Sequence, residues 1–285
     1  MARVALVIDS TAYLPEEFIK QYGISVAPLS IIWDGVSYRD GIDMQPGDFY
    51  TRLQGSRSLP TTSQVTAPDM QNVFERVLAS GSQILGIFLS SKLSGTYEAA
   101  LRAREMIAGA QDKIAVVDSA LTTVAMALPV LLAARAAAAG ESLADCARLA
   151  EEARDHSGVL FVVETLEFLR RGGRIGGAQA LLGTVLNIKP LLAMRDGQIE
   201  AVEKVRTKRL ALRRMLDVTI ERIGGRKPVR IAAAHASAQA EAQALLEWAC
   251  AELHPVETLC CPLSPVVGAH VGPGTAAMAY MAGVG

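Results

Sequence analysis

Three unbroken apolar runs in the first half of the chain, Val4–Ile8, Ile84–Leu89 and Ile114–Asp118, each give way abruptly to hydroxyl or carboxylate residues. A continuous apolar run of five or six residues marks a strand covered on both faces, as in a parallel sheet. Helical patterns separate the runs, and strand–helix alternation of this kind predicts an α/β, doubly wound parallel-sheet domain. Such sheets bind ligands outside the carboxyl ends of their strands. Asp9-Ser10-Thr11, Ser90–Thr96 and Asp118-Ser119 would therefore gather at one edge.

Punctuation fills in the rest of this half. Pro15-Glu16-Glu17 opens a short helix, Pro46 another, and Pro68 a longer one reaching about Ala79. The run Ile24–Trp33 meets Asp34-Gly35, a hairpin signal. Leu59–Pro68 reads as a polar loop. Helices are expected over 121–139 and 142–156, divided by Gly140.

The second half changes character. Val159–Glu164 is strand-like, Arg171–Gly177 (RGGRIGG) is a turn between two helices, and Arg195-Asp196-Gly197 turns one strand into the next. A basic helix begins near Thr207, and a strand, a helix and a final strand near Val256–Leu259 complete the pattern. Hairpins among helices predict an α+β, mixed-sheet domain. At 285 residues the chain is long enough for two domains, here 1–156 and 157–285.

Composition narrows the function. The net charge of −1 gives no general attraction to nucleic acid or an anionic membrane. Half the residues are apolar but only 5% are aromatic, so the cores are built from Ala, Val, Leu and Ile. Cys146, Cys250, Cys260 and Cys261 lack CxxC spacing and read as reduced, packed cysteines of a cytoplasmic protein. One long uncharged stretch, Ser119–Ala134, contains Pro129 and falls short of the ~20 residues that span a bilayer. It reads as a buried, alanine-rich helix, and no stable membrane insertion is expected.

Five segments could carry chemistry. SSKLSGTY (Ser90–Tyr97) sets hydroxyls and free amides at a helix start, with Gly95 allowing close approach. It suits one anion, and it equally suits plain capping by Ser94 or Thr96. PTTSQ places Thr61, Thr62 and Ser63 together, and by itself reads as a turn. His270 in GAHVGPG is either a ligand-facing or a structural histidine. RGGRIGG fits neither GxGxxG nor a P-loop, though two arginines beside glycines could grip a phosphate from outside. The basic run Glu203–Met215 has no interleaved aromatics, which disfavours nucleic acid and leaves a solvated face or a docking surface for an acidic partner.

Together these segments resemble the DegV family of fatty-acid-binding proteins over nearly the whole chain. The pieces VIDSTAYLPEE, APLSIIWDGVSYRDG, LPTTSQ, LSSKLSGTYEAA, VVDSA, FVVETLEFLRRGGRIGG, LLGTVLNIKPLL, EKVRTKRLAL and PVVGAHVGPG follow the family's order. The resemblance implies a carrier that holds a long-chain fatty acid while a separate ATP-dependent fatty acid kinase subunit phosphorylates the carboxylate. It implies no catalytic residue, cofactor or metal in this chain. Matched position by position, the carboxylate contacts fall on Thr62, Ser94 and His270, with Ser63 and Gly95 beside them. The arginines facing the partner and its phosphate fall on Arg174 and Arg206. Many relatives have TSQPS where this chain has Thr62-Ser63-Gln64-Val65-Thr66. Hydroxyls and amides suit the implied chemistry, because a carboxylate locked to an arginine would be a poorer nucleophile. A tail of about 15 methylenes offers about 12 kcal/mol on burial, before the costs of immobilisation.

Two other readings stand beside this one. A serine hydrolase would use Ser94, His270 and Asp9, but Lys92 and Thr96 occupy the glycine positions of GxSxG. A lipid-binding regulator would act with no kinase partner.

Overall fold

The computed structural model describes residues 3–182 and 188–285. In chain order the first half comprises β1 (Val4–Asp9), α1 (Glu16–Tyr22), β2 (Ser25–Ala27), β3 (Ser30–Trp33), β4 (Val36–Arg39), α2 (Pro46–Gly55), β5 (Thr61–Ser63), α3 (Ala67–Leu78), β6 (Gln83–Phe88), α4 (Thr96–Met106), β7 (Ile114–Asp118), α5 (Thr123–Ala138) and α6 (Leu143–Asp155). The second half comprises β8 (Ser157–Val162), α7 (Glu167–Arg171), β9 (Lys189–Arg195), β10 (Gln198–Val205), α8 (Lys208–Ile223), β11 (Val229–His235), α9 (Gln239–Leu253), β12 (Glu257–Pro262), α10 (Pro265–Val271) and β13 (Ala276–Ala282). Short 3-10 turns over Ser10–Ala12 and Gly176–Leu181 complete the described residues.

The three apolar runs form one parallel sheet in the order β2-β1-β6-β7. Strand order reverses between β1 and β6, so this is a doubly wound sheet with its switch point beside Asp9. A six-stranded mixed sheet runs β10-β9-β8-β13-β11-β12, parallel only between β11 and β12. The α/β plus α+β expectation holds.

Helix α5 lies between the two sheets, touching β1 on one side and β8, β11 and β13 on the other. It is buried on nearly all sides, from Thr123 through Ala134, and its alanines permit that close packing. It is the uncharged stretch expected to be a buried helix, and no helix among the described residues is long and apolar enough to cross a membrane.

Three expectations need correction. The run Ile24–Trp33 is broken at Pro28, which cannot donate a ladder hydrogen bond. Its first part, β2, joins the parallel sheet, and its second, β3, pairs with β4 in a separate hairpin. The Leu59–Pro68 loop contains a strand, since β5 pairs with β3 and sets Thr62 opposite Ile31. Most consequentially, β12 is not the last strand. Helix α10 and β13 follow, and β13 is central, flanked by β8 and β11. Its sequence AAMAYMA is mostly alanine, an intrinsic helix former, so nothing local announces a strand. It is an extended strand because α5 covers one face while α8 and α9 cover the other. The Gly183–Asn187 part of the LLGTVLNIKPLL motif, with the rest of the helix expected before Ile188, lies outside the described residues.

Candidate ligand-binding site

The hydroxyl and carboxylate residues at the ends of β1, β6 and β7 do converge, and they brace one another. Asp9 is fully buried and accepts from the Thr11 amide (2.9 Å), the Thr11 hydroxyl (2.6 Å) and the Leu89 amide (2.7 Å). Burial outweighs these bonds and pushes its carboxyl above the usual range. Asp118 accepts from the Ala120 amide (2.8 Å) and the Ser91 amide (3.3 Å). Ser90 donates to Gly197 O in the β9–β10 turn (2.7 Å), tying the loop after β6 to the other sheet. Gly197 sits at φ +78°, and a Cβ there would meet Ser90 Oγ at 2.6 Å, so the turn glycine is required by both backbone and neighbour.

Between the two sheets and α10 lies a cavity of about 400 Å³, within the range of about 300–1,000 Å³ typical of ligand sites. Its rim is polar, with Thr62, Ser63, Gln64, Ser94, Arg174 and His270. The interior is mostly apolar, walled by Leu29 and Leu89 from the first half and by Val159, Phe161, Met194 and Ile199 from the second, with Thr11, Thr122, Thr123 and Thr275 also lining it. The apolar wall residues are all buried.

The head of the cavity is organised around α10. Ser264 caps that helix by accepting from the Val267 amide, Pro265 occupies its first turn, and the buried Val266 and Val271 hold it against the core. His270 thereby reaches β5, where its Nε2 lies 2.8 Å from Thr62 Oγ1. Burial, assisted by the Arg174 charge, lowers its pKa to about 4, so the ring is neutral near pH 7. Its Nδ1 is buried without a partner among the described residues and lies against Gly172, where a Cβ would come within 2.1 Å. A bare nitrogen lone pair there costs less than a stranded N–H, which places the ring proton on Nε2. His270 then donates to Thr62, and the Thr62 hydroxyl proton is free to point at a ligand.

Ser94 Oγ lies 3.0 Å from Thr96 Oγ1 and accepts from the Thr96 amide (3.3 Å). Gly95 stands behind them, and a Cβ on it would meet Gln64 Oε1 at 2.2 Å. Gly95 thus makes room for the Gln64 amide at the rim. Arg174 is exposed, and its guanidinium is held by Leu93 O (3.0 Å from Nε) and Gly172 O (2.7 Å from Nη1). That anchoring fixes a cation at the rim while Nη2 has no hydrogen-bond partner among the described residues.

Of the residues singled out in the sequence, Thr62, Ser63, Ser94, Arg174 and His270 share this one cavity, and Gly95 adjoins it through Gln64. Arg206 does not line the cavity. It is exposed in the turn between β10 and α8. Much of the basic run near it is spent inside the molecule. Lys208 pairs with Glu164 (3.0 Å) and Glu241 (2.9 Å), Arg214 with Glu203 and Asp217, and Arg213 stacks 3.9 Å from the Trp248 ring centroid. The hydrolase triad is not assembled, because Ser94 pairs with Thr96, His270 with Thr62, and Asp9 with Thr11 and Leu89. Among the described residues no group of His, Cys, Asp and Glu could hold a metal ion, and all four cysteines are free. Gln64, Gly172 and the apolar walls were not singled out from sequence. Gly172 stood in plain view within RGGRIGG, but only the fold brings His270 onto it.

Comparison with known proteins gives a consistent picture. Residues 3–283 match the model of the DegV family, described as uncharacterised proteins. A DegV domain-containing protein of Listeria monocytogenes is 35% identical over 279 residues, covering 98% of both chains. One from Streptomyces coelicolor is 37% identical, covering 95% of both. Among solved structures, the chain is similar to a fatty-acid-binding DegV family protein of Thermus thermophilus, with a TM-score of 0.92, 34% identity and coverage of 98% and 99%. It is also similar to the fatty-acid-binding DegV of Bacillus subtilis, with a TM-score of 0.89, 31% identity and coverage of 99% and 100%.

Proposed function

The chain belongs to the DegV family, and from that premise and the geometry of its cavity we propose that it binds a long-chain fatty acid by its carboxylate and presents it to a separate kinase subunit. The observation that carries the reading is the pairing of a hydroxyl-rich rim with a mostly apolar interior in one cavity of about 400 Å³. The carboxylate takes the Thr62 hydroxyl proton, oriented by His270, and the Ser94 hydroxyl, with Ser63 and Gly95 completing the head-group nest. The acyl chain runs between the sheets against Phe161, Met194 and Ile199.

Charge placement favours presentation over sequestration. The head group meets neutral donors, so its oxygens keep the basicity needed to attack a phosphoryl group. Arg174, held by two carbonyls beside the carboxylate, stabilises the charge that develops when a partner delivers phosphate, and Arg206 contributes from the docking face. In this reading the chain needs no cofactor of its own and works in the cytoplasm.

Organic extraction and mass spectrometry of the purified protein test the binding half, with an acyl chain of about 16–18 carbons expected. A protein that carries none, and that takes up none after delipidation, refutes it. The presentation half is tested by ATP-dependent acyl phosphate formation with the kinase subunit encoded in the same genome. Arg174→Ala is expected to keep fatty-acid affinity within about threefold while turnover falls at least tenfold. Equal loss of both, or turnover unchanged, overturns that role.

A further inference from the structure

The cavity has a second polar feature, at the start of α5. Thr122 and Thr123, the N-cap and first residue of this 16-residue helix, both line the cavity. Thr122 offers no side-chain capping bond, and the first amides of the helix find no acceptor among the described residues. These amides form the positive end of a buried dipole. The Thr122 hydroxyl is buried with no hydrogen-bond partner among the described residues, and the hydroxyl of Thr123, a residue only 6% exposed, likewise finds none among them. The Thr123 backbone is at φ +57°, a conformation that a β-branched residue adopts only under constraint.

A buried donor set without acceptors is costly unless a ligand satisfies it. Resting on the fatty-acid reading above, we propose that this end of the cavity is a specificity subsite for an uncharged oxygen substituent, a hydroxyl, on the acyl chain. Such a group accepts from the α5 amides and exchanges a hydrogen bond with the Thr123 hydroxyl. A second carboxylate is disfavoured because Asp9 stands next to the site. Its Oδ1 holds Thr11, which also lines the cavity, and the 3-10 turn carrying Thr11 packs on α5. Thr11 spends its proton on Asp9, so it offers a ligand only an acceptor. The subsite therefore suits a hydroxyl, which both donates and accepts, better than an anion.

The test is competitive binding to delipidated protein, using stearic acid and hydroxystearic acids with the hydroxyl near the head, at mid-chain and at the ω carbon. Stearic acid reports the underlying fatty-acid reading. If it fails to bind, that reading falls, whatever the hydroxy acids do. Given stearate binding, one hydroxystearic isomer is expected to bind about tenfold more tightly than stearate. Thr123→Ser should keep that preference, and Thr123→Val should abolish it with stearate affinity held within about threefold. Thr123→Gly removes the same hydroxyl while accepting the positive φ, so it serves if the valine variant does not fold. Binding of every hydroxy isomer at or below the stearate level, or a preference that survives Thr123→Gly, overturns the inference. A dicarboxylic acid binding better than any hydroxystearate overturns it as well.

Discussion

Gly172→Ala isolates the contact on which the head-group arrangement depends. An ideal Cβ at this position falls 2.1 Å from His270 Nδ1, 2.9 Å from its Cε1 and 3.2 Å from Phe168 O. Ordinary contact begins near 3.4 Å, so the ring has to retreat by more than an ångström. The ring cannot shift that far and keep the geometry of its 2.8 Å bond to Thr62, so the Thr62 hydroxyl is no longer oriented toward the ligand. A hydrogen bond serving a charged acceptor is worth roughly 1.5–3 kcal/mol, and the low end applies because Thr62 itself remains, so the expected loss is about tenfold in affinity. Fold stability should fall by about 1–3 kcal/mol, because a buried ring has to give way, and the entropy gain of about 0.4–1 kcal/mol at φ −72°, which alanine accepts, offsets only part of that. Gly173→Ala is the matched control. There φ is +69° and nothing lies within 4 Å, so the variant should lose roughly 1–2 kcal/mol of stability at unchanged affinity. Calorimetric titration of fatty acid into delipidated protein, beside urea unfolding, separates the two. Gly172→Ala binding like the wild type, or Gly173→Ala losing as much affinity as Gly172→Ala, would refute the reasoning.

Other outcomes follow from the same geometry. Thr62→Ala and Ser94→Ala should each weaken fatty-acid binding by roughly one to two decades in the same titration, because each removes a hydrogen bond to the carboxylate. Two buried groups should give opposing pH dependences. His270 titrates at about 4 in the folded protein and near 6.5 unfolded, so the unfolded state binds more protons between those values and stability rises with pH across that window. Asp40 is raised by burial to about 7, so the folded state binds more protons between about 4 and 7 and stability falls with pH there. Urea midpoints from pH 4 to 7 should therefore climb more steeply with pH in Asp40→Asn than in the wild type, and fall with pH in His270→Gln. Identical profiles in both variants would remove the assignment.

The sequence alone determined the elements whose burial writes itself into local pattern. β1, β6 and β7 are unbroken apolar runs because both of their faces are covered, and the hydroxyls that end them are where a parallel sheet exposes its carboxyl edge. Pro46 and Thr66–Pro68 start helices by chemistry that acts within a single turn. Ser94, Thr62 and His270 were legible through their motifs as possible partners of one ligand, though the sequence around each also fitted simple capping or a turn. What joined them was decided over long range. Thr62 reaches His270 across 208 positions of sequence, because β5 pairs with β3 and α10 packs against both. The same holds for β13, whose alanines favour a helix locally and become a central strand only when α5, α8 and α9 close over both faces. Gly172 and Thr123 carry no signal of their own. One matters because a histidine from α10 rests on its Cα, the other because a helix start opens into the cavity between two sheets. Backbone preference and periodicity act over a few residues, whereas the site is made of contacts between segments far apart in the chain, and only folding chooses those.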